Sequence, residues 1–104
     1  MARNSKIPNL LKRVRECVEA GRYRITIHAD QRMSERNVTL PEVLYVLKAG
    51  WHEKRKDRYE ESFESWNYAI RSQTIDDRSL RAVVAFDATE QVVLITVIDL
   101  DQDD

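Results

Sequence analysis

At Gly50 the spacing of apolar residues changes from a repeat of about 3.6 to a repeat of 2. That switch limits the chain to a fold with helices first and a sheet after. Before it, Leu10, Leu11, Val14, Cys17 and Val18 form one stripe of a helix predicted over 7–20. Pro8 suits an early position in it, Ser5 a nearby cap, and Gly21 a left-handed end. Tyr23–Ile27 alternates as a short strand. Helices are then predicted over 28–36 and 40–49, separated by Asn37 and Val38. Thr39 and Glu42 have capping-box spacing, and Pro41 is tolerated in the first turn. After Gly50, alternation predicts strands near 51–59, 66–75, 79–87 and 91–98, joined by short polar turns that favour hairpins. The expectation is an α+β domain, with helices packed on one face of a mostly antiparallel four- to five-stranded sheet.

The 104 residues suit one domain, read as the 7–20 helix, a body over 22–99 and an acidic tail over 100–104. Charge is divided along the chain. Residues 1–58 hold 14 basic and 7 acidic side chains, whereas 59–104 hold 3 and 11, although the total is only -1. This excludes a uniformly basic nucleic-acid coat. Most of the later acids fall in turns and in Asp99–Asp104, where solvation is the default and weak mimicry of RNA by the tail is a sharper option. The single cysteine, Cys17, sits on the apolar stripe and is expected to be buried, and a reducing, cytoplasmic setting follows. No apolar run reaches the length of a membrane span. Metal-ligand spacing and a glycine-rich phosphate loop are both missing, so no metal or other cofactor is expected.

In the stretch from His28 to Arg36, Arg32, Glu35 and Arg36 fall within about 80° of His28 around a helix. Arginine can grip phosphate oxygens in pairs, and imidazole can move a proton near neutral pH. The same residues also fit a capped, solvated helix with internal Glu–Arg pairing. On an extended 51–59, His52, Lys54, Lys56 and Arg58 would share a face. Such a row suits a phosphodiester backbone, and equally an edge strand guarded by lysines. Trp66, Tyr68 and Ile70 share a strand face that reads mainly as packing. Tyr68 is a candidate to contact a nucleic acid, and Arg71 and Arg81 would line the polar side. Thr96 interrupts an apolar strand and is assigned the face of Val92, Leu94 and Ile98.

The run from Ile27-His-Ala through Arg32-Met, Glu35-Arg36 and on to Gly50 resembles the bacterial domain-of-unknown-function 4258 family. Leu80-Arg-Ala-Val-Val-Ala-Phe86 and Ile95-Thr96-Val97 extend the likeness, which covers about residues 23–98. Asn37 stands where that family has a turn glycine, and the basic 52–58 segment lies outside its pattern. The resemblance implies a RelE/ParE-like fold and a toxin-like endoribonuclease acting on single-stranded RNA, in some cases ribosome-bound. It implies His28, Arg32, Arg36 and Thr96 as catalytic positions and a cognate antitoxin as partner. Lys54, Lys56, Arg58, Arg71 and Tyr68 are the accompanying nucleic-acid candidates, with homodimerisation left open. A noncatalytic module that docks one protein through its acidic half is the competing expectation.

Overall fold

The computed structural model describes residues 3–102. It is a mixed α+β fold of three helices and a six-stranded sheet: α1 (Leu10–Glu19), β1 (Tyr23–Ile25), α2 (Ile27–Glu35), α3 (Leu40–Ala49), β2 (Trp51–His52), a 3-10 turn (Lys54–Lys56), β3 (Arg58–Glu60), β4 (Ser65–Gln73), β5 (Ser79–Phe86) and β6 (Val92–Asp99). The strand order is β1-β6-β5-β4-β2, with β3 also paired to β4. All pairings are antiparallel except β1 with β6, which is parallel.

Side-chain chemistry explains the ends of the helices. Thr26 Oγ1 accepts the Ala29 N–H at 3.0 Å, and Ala29 and Met33 are then buried along α2. Thr39 and Glu42 close both halves of a capping box on α3. Asn37 adopts φ 53°, the left-handed conformation required after α2. Gly50 ends α3 for a different reason. It is extended, but a Cβ there would lie 2.5 Å from the Val46 carbonyl oxygen and 2.7 Å from that of Arg71. The backbones of α3 and β4 meet too closely for any side chain.

The core joins Leu10, Val14 and Val18 of α1 and Val43, Val46 and Leu47 of α3 with Ile70, Ala82, Val84, Leu94 and Val97 of the sheet. Cys17 is buried among them.

Four expectations need correction. Helix α1 begins at Leu10, with Asn9 in the left-handed region as its N-cap, so neither Ser5 nor Pro8 starts it. The 51–59 segment is not one strand. Glu53 and Asp57, four residues apart, both have buried carboxylates, and the chain makes a 3-10 turn between them. The sheet therefore has six strands. Beside β5, β6 carries a bulge: Val83 pairs with Thr96 and Val84 with Leu94, leaving Ile95 between them. Val92, Leu94 and Val97 thus share the core side, while Thr96 turns to the other side with Arg81, Val83 and Ile98. Finally, Asp99 is not a solvated tail acid. It is buried with Oδ2 2.9 Å from Arg78 Nη2, and Asp101 accepts the Ser79 N–H. Asp103 and Asp104 lie outside the described residues.

Candidate functional site: two cationic surfaces and a buried dyad

His28 and Arg32 stand one turn apart on α2, whose buried side is Ala29 and Met33. His28 is exposed and Arg32 half-buried. Among the described residues neither side chain makes a hydrogen bond or ion pair, and Glu35 does not close over Arg32. Arg36, the C-cap of α2, is engaged, and its carbonyl accepts from Arg78 Nη2. The α2 packing residues enter the core, so Thr96 lies across the sheet from them. The four catalytic positions expected together are therefore divided by the sheet.

The nucleic-acid candidates divide as well. Lys56 and Arg58 border a hollow of about 180 Å³ with Asn67, Arg81, Val83 and Ile98, on the Thr96 side of the sheet. Arg71 and Arg81 are cross-strand partners there, and both reach the buried Glu53. Arg81 Nε and Nη2 donate to the two Glu53 carboxylate oxygens at 2.7 and 3.2 Å, and Arg71 Nη1 lies 3.6 Å away. The hydrogen bond from Arg81 lowers the Glu53 pKa against the opposing effect of burial. Arg71 also lies over the Trp51 ring, 6.0 Å from its centroid.

Tyr68 is a correction. At 3% exposure it cannot stack a base; its hydroxyl instead accepts the Ile7 N–H at 2.9 Å. Burial raises its pKa above the ordinary phenol value. Even residues of this strand face inward, which is the packing reading of Trp66, Tyr68 and Ile70.

Lys54 lies elsewhere, bordering a groove with Lys6, Lys12, His52 and the start of α1. Beneath it is a constellation that sequence reasoning missed. His52 Nε2 is 2.7 Å from Asp57 Oδ2, Lys6 Nζ is 3.0 Å from the same oxygen, and Asp57 Oδ1 accepts the Ala69 N–H at 3.0 Å. Strict alternation put His52 and Asp57 on opposite faces; the sequence signal against it was the pair of acids, Glu53 and Asp57, inside a basic run.

Among the described residues, no group of three or more His, Cys, Asp or Glu side chains is arranged to hold a metal ion, and no helix is long and apolar enough to cross a membrane.

These features define a small α+β protein whose cationic side chains occupy separate surfaces around a mostly antiparallel sheet. Residues 25–99 match the model of the domain of unknown function DUF4258, and the chain belongs to that family. No curated protein and no solved structure matches it.

Proposed function

We propose that the protein is a toxin-like endoribonuclease acting on single-stranded RNA without a metal, in a RelE-like layering with the helices on one face of the sheet and a cognate antitoxin as its cytoplasmic partner. The observation that supports it is the unengaged His28–Arg32 pair on α2. In this reading the RNA 2′-oxygen attacks the neighbouring phosphorus as the bond to the 5′-oxygen breaks, leaving a cyclic phosphate and a 5′-hydroxyl. His28 moves the proton, and Arg32 faces the charge that builds on the phosphoryl oxygens. Arg36, already engaged, and Thr96, across the sheet, fall outside this pair. Lys56 and Arg58 would meet a different part of the strand.

The test is cleavage of a single-stranded RNA, alone and with ribosomes, reading the cyclic phosphate. His28→Ala and Arg32→Ala should each slow it by about 10²–10⁴-fold, and Thr96→Ala should not. Equal cleavage by wild type and His28→Ala would overturn the assignment.

A second reading, a noncatalytic module that docks a protein, is favoured by one feature. Pro41, Tyr45 and Ile75 line a cleft of about 270 Å³ with Glu42, Thr74 and Asp76 around it, and Ile75 is 88% exposed. Under that reading Ile75→Asp abolishes capture of the partner and purified protein leaves RNA intact.

A further inference from the structure

The groove at the start of α1 encloses about 590 Å³, and the α2 reading makes no use of it. Lys6, Lys12 and Lys54 lie along its lining and, among the described residues, no carboxylate does. His52, its side chain 12% exposed, lines it too, with the fully buried Asp57 behind. A carboxylate only accepts hydrogen bonds, so Asp57 holds neutral imidazole in the form protonated at Nε2. Among the described residues, Nδ1 has no hydrogen-bond partner. Every fully buried side-chain nitrogen and oxygen among the described residues does have one, so Nδ1 is accessible from outside. The adjoining end of α1 has no side-chain cap and no acid in its first turn, which adds positive potential to the same wall.

We propose that this groove is a phosphate-binding site, with Lys12 and Lys54 supplying charge and His52 Nδ1 the directional contact. When His52 is protonated, Nδ1–H donates to a phosphate oxygen while Nε2–H stays on Asp57. When it is neutral, Nδ1 turns a lone pair towards that oxygen. Binding therefore strengthens as pH falls. The groups facing His52 are Asp57 and Lys6 behind it, Tyr68 at its ring edge, and Lys12 and Lys54 about the groove. The site contains neither His28 nor Arg32, so it stands or falls apart from the α2 reading.

Calorimetric titration of the full chain with a 5′-mononucleotide and with a dinucleotide phosphodiester tests this, with amide shifts mapping the contact. The diester keeps its charge across the range, so its pH dependence reports the protein. Saturable binding is expected, tighter at the acid end of the range than at the alkaline end. Stronger binding of the monoester identifies a free nucleotide as the ligand type; stronger binding of the diester identifies an RNA strand. The exposed pair Lys12→Ala/Lys54→Ala should weaken either ligand about tenfold with the fold intact. His52→Gln should remove the pH dependence. No saturation, wild-type affinity in the double lysine variant, or an unchanged pH slope in His52→Gln each overturns the proposal. An RNase assay that fails with binding intact overturns only the α2 reading.

Discussion

Glu53 shows how one buried carboxylate organises its neighbours. Its carboxylate is buried under two guanidinium groups, and Arg81→Ala removes both close hydrogen bonds and leaves only the 3.6 Å Arg71 contact. Removing one partner of a buried pair costs about 3 kcal/mol, which urea denaturation would measure directly. The same pair sets a pH response. The folded carboxyl is more acidic than its ordinary value of 4.5, chiefly through the Arg81 hydrogen bond. Its contribution is complete above that value and is lost as pH falls through the lowered one, and Glu53→Gln should flatten this acid limb of the stability profile. Tyr68 works in the opposite sense. Its neutral form is favoured in the fold, so stability holds below the ordinary value of 10.0 and declines as pH rises beyond it. Tyr68→Phe keeps the packing but leaves the Ile7 N–H without its acceptor, at a cost of about 1 kcal/mol. It should also shift the alkaline unfolding seen by circular dichroism to higher pH.

Among the elements, Gly50 and Thr39 offer a sharp contrast. Gly50→Ala sets a Cβ against two backbone oxygens, neither of which belongs to a side chain that can swing away. Overpacking of this kind costs about 1–3 kcal/mol, and here it should also loosen the β2–β4 pairing, visible as faster amide exchange at His52 and Glu53. Thr39→Ala removes only the cap and should cost about 1 kcal/mol with the exchange at β2 unchanged. Both residues could be picked out from the sequence as a helix stop and start, but the reason for Gly50 could not, because it depends on a strand twenty residues later. The same division runs through the fold. Local signals were enough for α3, for the buried faces of α1 and α2, and for the β4 and β5 strands. They failed at 51–59, where alternating letters concealed two buried acids whose partners, Lys6, Ala69 and Arg81, are remote in sequence. They failed again at Thr96, because a single-residue bulge reverses every later side chain and leaves no trace in composition. For the candidate site, the His28–Arg32 proximity was readable as helical spacing, whereas His52 acquires its orientation only from a folded Asp57.

Across the whole molecule, the segment before α1 ties the N-terminal part to the sheet. Asn4 accepts from Trp66 Nε1 at 2.7 Å, Ile7 donates to Tyr68, and Lys6 pairs with Asp57 while lying 4.6 Å from the Trp66 ring centroid. Lys6→Ala should therefore lower thermal stability by about 1–2 kcal/mol and make the β3–β4 ribbon exchange faster. The groove and the family-matched region, residues 25–99, thus overlap only at His52 and Lys54.

The parallel pairing of Tyr23, Arg24 and Ile25 with Val92, Val93 and Leu94 has a consequence in time. The hairpins β4–β5 and β5–β6 close over short loops, but β1 must wait for a strand nearly seventy residues downstream. Contacts so distant in sequence form late, after their entropy of closure has been offset by local structure. A ribosome would thus release the first half of the chain, with the apolar stripe of Leu10, Val14 and Val18 uncovered, well before the strand that completes its shelter exists. Pulse-labelled hydrogen exchange during refolding should find β4 and β5 amides protected first and Ile25 last.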